Sequence, residues 1–181
     1  EVNLPEGLIS LGRILPNGGG SGSFGASFSG CTALQKVYIP RTLEDCHGIN
    51  FEGCTNLRSV EFGEGIVQIC ANLMSKCLGI HEIVIPDTVT AIGEKAFSEC
   101  INLEAISIPD SVTFVGHSAF SSCSALRSVE FGDSLLHICA HAFKDCTGIT
   151  EVNLPEGLIS LGRILPNGGG SGSFGASFSG C

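Results

Sequence analysis

The chain has no tryptophan, one tyrosine and one methionine, and charged residues make up only 15% of it. Disordered chains are rich in charge and poor in apolar side chains, so a sequence that is 43% hydrophobic must bury a core. Basic residues are scarce: nine Lys and Arg stand against 18 Asp and Glu, giving a net charge of −9. That field repels polyanions and no basic cluster offsets it, which excludes nucleic acid as a partner. Long apolar runs are missing too. Charges or glycine interrupt every apolar stretch within about ten residues, well short of the ~20 that span a bilayer, so no membrane span is expected in this segment. No Asn-x-Ser/Thr acceptor occurs, and N-glycosylation is therefore not encoded.

The motifs of common chemistries are absent in the same way. There is no Cys-x-x-Cys pair, and His47, His81, His117, His137 and His141 fall at different phases of the pattern described below, so no metal site is expected. Gly20 to Gly25 matches a GxGxxG fingerprint. That motif works only between a strand and a helix of a βαβ unit, so here it reads as a flexible glycine loop. No Lys follows those glycines, no GxSxG elbow occurs, and no carboxylate pair is held at a catalytic spacing. No catalytic residue, cofactor or enzymatic activity is expected.

What the chain does have is repetition. Residues 1–31 recur unchanged as 151–181, which makes one 150-residue period plus the first 31 positions of the next. Inside it runs a period of 23, marked by Cys31, Cys54, Cys77, Cys100, Cys123 and Cys146. Leu34, Leu57, Ile80, Leu103, Leu126 and Ile149 keep step, as do Val37, Val60, Ile83, Ile106, Val129 and Val152. Further ladders are Ile39, Phe62, Ile85, Ile108, Phe131 and Leu154, then Leu43, Ile66, Val89, Val112, Leu135 and Leu158, then Cys46, Ile69, Ile92, Val115, Ile138 and Leu161. Phe28, Phe51, Met74, Phe97, Phe120, Phe143 and Phe178 form the last.

Each unit opens on apolar residues alternating with period two, which predicts a short strand, and Pro40, Pro86 and Pro109 end it because proline cannot donate to a ladder. The Ala-Phe-x-x-Cys segment predicts one tight helical or 3₁₀ turn. Units this short cannot bury their apolar residues alone and must stack on one another. The expected fold is a repeat solenoid, a right-handed coil with one parallel β-sheet, and at ~4.8 Å per strand the six coils of one period rise roughly 29 Å. One of the six is longer by twelve residues, which places glycine-rich insertions at about 13–25 and 163–175 of a single continuous solenoid. LRSVEFG occurs at both Leu57 to Gly63 and Leu126 to Gly132, so three coils look duplicated within the period.

The pattern IPxxVxxIGxxAFxxC in Ile85 to Cys100 and Ile108 to Cys123 resembles the BspA-like class of leucine-rich repeats. The resemblance covers essentially the whole chain. It implies a non-enzymatic extracellular or cell-surface protein of bacteria or unicellular eukaryotes, used in adhesion, matrix binding or surface structure. Cys70 and Cys139 depart from it by replacing the mid-unit Gly, as does the insertion.

Nine cysteines per period cannot all pair within it, and the ladder cysteines share the phase of apolar residues, so they read as reduced, buried thiols. Cys46 and Cys70 lie 24 apart, nearly in register on adjacent coils, and are the candidate disulfide. Ile14, Leu15 and Phe24 are apolar residues of the insertion, and with Tyr38 on the outward strand face they are candidate inter-chain or partner contacts. The rest of that face, Glu61, Val84, Ser107, Glu130 and Asn153, has no aromatic cluster and no single-sign patch. Glu1 falls in mid-strand and Cys181 at the Cys slot, so the expectation is a segment of a longer tandem array forming a fibre, stalk or scaffold from copies of itself. The alternative is a surface adhesin whose sheet face or glycine loop recognises a host or matrix protein.

Overall fold

Alternation with β-branched residues produces strands where expected. Ten strands follow in chain order: β1 Val2–Asn3, β2 Lys36–Ile39, β3 Ser59–Phe62, β4 Gln68–Ile69, β5 Ala91–Ile92, β6 Ala105–Ile108, β7 Phe114–Val115, β8 Ser128–Phe131, β9 His137–Ile138 and β10 Ser160–Leu161. They belong to a computed structural model that describes residues 1–3, 28–41, 50–162 and 177–181. All pairings among them are parallel, so the chain winds as a β-solenoid with one coil for each sequence repeat.

The four-residue strands form one face. β1, β2 and β3 pair in order, with Val37 opposite Val60, and β6 pairs β8 with Ile106 opposite Val129. Between β3 and β6, Glu82–Ile85 holds the same repeat position without strand pairing. Ile83 and Ile85 still point into the core, while Val84 is 81% exposed. Beside the expected sheet runs a second ladder, β10-β9-β7-β5-β4, of two-residue strands. Its cause is the ladder of β-branched residues in mid-unit: Ile69, Ile92, Val115 and Ile138 stand opposite one another in register. A constant period keeps every face of the coil aligned, so any extended stretch acquires a partner.

The Ala-Phe-x-x-Cys segment differs from the helical or 3₁₀ turn expected of it, and no helix occurs among the described residues. The reason is how its N–H groups are shared out. Ala96, Ser98 and Cys100 donate back three residues to Gly93, Lys95 and Phe97 at 3.2–3.3 Å, whereas Lys95, Phe97 and Glu99 donate to His117, Ala119 and Ser121 of the next coil at 2.8–2.9 Å. A helix would retain all these donors internally. The zigzag is achieved by left-handed residues, Lys95 at φ 52° and Glu99 at φ 60°.

Inside the coils lies one continuous core from Leu34 to Ile149. Its axis is a column of rings: Phe97–Phe120, Phe120–Phe143 and Phe143–Phe178 stack at 5.2, 5.1 and 5.0 Å, and Phe28–Phe51 at 5.2 Å. Met74, fully buried, takes the same slot between Phe51 and Phe97. The long coils do not disturb the column. Phe143 donates to the Ser177 carbonyl just as Phe97 donates to Ala119, although the first contact encloses twelve more residues of chain than the second. Gly162 still binds Ile138 at the regular offset, which puts the extra residues between Gly162 and Ser177. The same shift appears at the other end, where Val2 pairs Val37 while Val37 pairs Val60, so the first coil is the longer by the same twelve.

One position of the turn recurs with φ between 58° and 62° at Lys76, Glu99, Ser122 and Asp145, while Gly30 and Gly53 fill it at 71° and 72°. Left-handed backbone strains a side-chain-bearing residue by roughly 1–2 kcal/mol, which outweighs the extra entropy that glycine loses on folding. Ser122→Gly is expected to stabilise the chain by about 0.5–1 kcal/mol, read as a higher urea midpoint at unchanged slope. A lower midpoint would show that the turn is held by the serine.

Candidate functional site

The ladder cysteines occupy the corner where each turn meets the next coil. Cys54, Cys77, Cys100, Cys123 and Cys146 are free and buried, and Cys31 and Cys181 are free and exposed. Each buried thiol donates to a backbone carbonyl of the preceding coil: Cys54 to Phe28, Cys77 to Phe51, Cys100 to Met74, Cys123 to Phe97 and Cys146 to Phe120, all at 3.1–3.2 Å. Cys181 makes the same bond to Phe143 across the long coil at 3.1 Å. These carbonyls already accept one N–H within their own turn, for instance Cys100 to Phe97. The thiol satisfies the second lone pair with a side chain small and apolar enough for the core. Burial pushes the thiols up: Cys100 to about 12, and Cys77 further. Cys123, hydrogen-bonded to Cys146 and buried, moves the same way, whereas that hydrogen bond draws Cys146 down.

Such thiols are inert, since a nucleophile or metal ligand must be a thiolate in an exposed, electropositive setting. Cys139, in the Gly slot, is buried and raised by burial as well. Cys70 is disulfide-bonded, and Cys46, its expected partner, lies outside the described residues. Ile14, Leu15 and Phe24 also lie outside them, as do both predicted insertions at 13–25 and 163–175 apart from the flanking register already described.

Imidazoles and hydroxyls meet at two places that sequence reading did not single out. His117 Nδ1 lies 2.8 Å from Ser118 Oγ, and His137 Nδ1 lies 2.9 Å from Ser160 Oγ of the next coil. The second pair was available from the repeat spacing, while the first needed the left-handed Ser118. Nucleophilic catalysis needs an oriented base, and no carboxylate reaches either ring among the described residues. His117 and His141 face each other edge to face at 5.5 Å, yet no group of three or more metal-ligating side chains is gathered among the described residues.

The outward strand face is polar and mixed in charge. Tyr38 is half-buried in β2, Lys36 and Glu61 pair across β2 and β3 at 2.7 Å, and that contact raises the Lys36 pKa. Where β6 and β8 end, a groove of about 570 Å³ is lined by Asp87, Asp110 and Glu130 with no basic residue. Asp110 is partly engaged, since it accepts the Asp133 N–H at 2.9 Å. No helix of the described residues is long and apolar enough to cross a membrane.

Two outcomes follow from the thiol geometry. Alkylation of the native chain, read by peptide mass spectrometry, labels Cys31 and Cys181 while sparing Cys77, Cys100 and Cys123 until denaturant is added. Native labelling of the three at an equal rate would refute the buried donor role. A thiol raised on folding binds its proton more tightly in the native state. Its contribution is complete below the unfolded value of 9.0 and is lost as pH climbs toward about 12. Stability therefore falls across that window by about 1.4 kcal/mol per pH unit on account of Cys100, and Cys100→Ala removes that share of the slope while lowering stability at pH 7. An unchanged slope would sink the assignment.

Comparison with known proteins places this geometry. A leucine-rich repeat protein from Bacteroides ovatus superposes with a TM-score of 0.68 at 26% identity, over 87% of this chain and 40% of that one. A T. pallidum leucine-rich repeat protein gives a TM-score of 0.64 at 30% identity, over 73% of this chain and 62% of its own. The chain thus spans less than two thirds of the length of either solved structure. No curated protein matches it. The model of the BspA type leucine-rich repeat region matches residues 67–165 in six copies, a span that holds β4 to β10 and the ladder cysteines Cys77, Cys100, Cys123 and Cys146. The chain belongs to the BspA-type leucine-rich repeat family, whose members are repeat scaffolds or protein-interaction modules.

Proposed function

We propose that this chain is a non-enzymatic structural repeat protein, a segment of a longer tandem array that forms a fibre, stalk or scaffold outside the cell or on its surface. The observation that carries the reading is the junction between one long period and the next. Phe143 stacks on Phe178 at 5.0 Å and 3°, as Phe120 stacks on Phe143 at 5.1 Å and 6° inside the period. Asp145 donates to Ser179 across the junction at 2.8 Å, as Glu99 donates to Ser121 within it at 2.8 Å. The ring column and the turn bonds therefore cross into the next period unchanged, while 151–154 make no strand pairing with β8, just as Glu82–Ile85 make none within the period. The disulfide at Cys70 suits an oxidising compartment.

A second reading, an adhesin, is favoured by the acidic groove at Asp87, Asp110 and Glu130, which fits a basic segment of a host or matrix protein. Electron microscopy separates them: long filaments accompany the fibre, discrete particles holding a partner accompany the adhesin.

Chains of two, three and four full periods, measured by small-angle X-ray scattering, are expected to be rods whose length grows by roughly 29 Å per period. A radius of gyration that grows as for a compact globule would overturn the fibre reading.

A further inference from the structure

The sheet of four-residue strands is interrupted at two equivalent places. β3 and β8 carry the same residues, Ser-Val-Glu-Phe, and each belongs to one copy of LRSVEFG. The coil after each of them leaves the ladder: 82–85 pairs neither β3 nor β6, and 151–154 does not pair β8. A regular junction is stitched along its whole strand side, as where Ser59 donates to Gln35, β2 pairs β3 over its length, and Gly63 donates to Ile39. Past β3, among the described residues, no backbone N–H of 81–85 reaches a carbonyl of the preceding coil, and past β8 none of 150–154 does. The other sides of the coil stay tied across both seams. Gly93 donates to Ile69 and Lys76 to Ser98 at the first, Gly162 to Ile138 and Phe143 to Ser177 at the second, all at 2.8 Å. At the first seam the core does not part either: Ile83 and Ile85 stay buried while Val84 between them is 81% exposed.

The same residues mark both seams. The ladder of Ile39, Ile85, Ile108 and Leu154 is interrupted by Phe62 and Phe131, the last residues of β3 and β8. Both rings are half-buried at the rim, and Phe131 lies edge to face with Phe143 at 5.7 Å. A ring there is wider than the aliphatic side chain that fills the slot elsewhere, and it holds the next strand off. Three residues before each gap, Gly79 and Gly148 press on the preceding coil, since a Cβ would come within 2.6 Å of the Leu57 and Leu126 carbonyl oxygens. The chain is thus pinned just before it swings away. Glu61 and Glu82 put carboxylates on both sides of the first seam, and Glu130 and Glu151 do so at the second, where β2 and β3 have the Lys36–Glu61 pair. We propose that the two seams are joints of the solenoid: the strand side opens there, and the stack bends about the second ladder, which stays tied. Ladder hydrogen bonds resist opening only on the side where they lie, so bending at a seam has one easy direction. The first joint is the looser, because 82–85 is unpaired on both sides. The proposal goes beyond the scaffold reading and stands on a single period, whether the chain builds a fibre or holds a partner.

Two nuclear magnetic resonance measurements on the unmodified whole chain test this. In hydrogen exchange the amides of Ile83, Val84 and Ile85 should be at least about 100-fold less protected than that of Gly93, which ties the same two coils on the second ladder. Equal protection overturns the open strand side. Residual dipolar couplings report the motion itself: those of 50–80 and those of 86–148 should each fit one alignment tensor, with the two tensors unequal in magnitude. One tensor that fits both sets overturns the joint, however fast the exchange. Phe62→Ile restores the aliphatic ladder, and should raise protection of 83–85 at least about tenfold and bring the two tensors together. A folded Phe62→Ile chain that changes neither readout overturns the wedge role of the ring, and if that variant does not fold, the two measurements on the unmodified chain still decide. Multi-period chains that grow as rods while a single tensor fits would leave the scaffold reading intact and remove the joint alone.

Discussion

A single coil cannot satisfy its own backbone, and every other feature of the fold answers to that constraint. In the extended stretches N–H groups point to the preceding coil, as from Gly116 to Ile92 and from Thr113 to Thr90, whereas in the turn they point forward, as from Lys95 to His117 and from Phe97 to Ala119. Each coil is thus stitched to both neighbours, and an isolated one would leave donors and acceptors buried and unpaired at ~1–3 kcal/mol each. Stability consequently belongs to the stack and not to the unit.

The side chains follow from the same stitching. With every second turn N–H sent to the next coil, the local turn is closed by three-residue bonds and left-handed residues, and the carbonyl of its Phe, or of Met74, is left with capacity for one more donor. A thiol supplies that donor at Cys54, Cys77, Cys100, Cys123 and Cys146 without bringing a strongly hydrated group into the core. The cysteine row is therefore a structural element whose chemistry is suppressed by burial. The column of phenylalanine rings fills the space that stacked turns enclose, and Met74 marks the one slot of that column where a flexible side chain replaces a ring among the described residues.

A stack held by repetition can be continued by any further coil of the same period. The chain joins its first long period to the start of the next with ring distances and backbone bonds that match those inside the period. Twelve extra residues in the long coil leave the register on either side untouched, and the stack continues. Surface charge goes into lateral pairs such as Lys36–Glu61 and Lys76–Glu52, worth little singly at exposed sites, and into an acidic groove beside β6 and β8.

The sequence by itself determined the period, the residues that enter the core, the strand face with Val37, Val60, Ile106 and Val129 in register, the twelve-residue excess and the family. These are legible because a linear repeat maps directly onto stacking: like must lie on like, and apolar side chains recurring at one phase can only share one interior. Tertiary structure alone decided the second ladder, the unpaired stretch Glu82–Ile85, the meeting of His117 with Ser118 and the carbonyl that each thiol serves. It also decided that the Ala-Phe-x-x-Cys segment is a zigzag of turns, since its spacing suits a helix and the choice rests on donors taken by a neighbouring coil. Local periodicity reports which side chains face inward, but the direction of each backbone hydrogen bond exists only once a second coil is there to receive it.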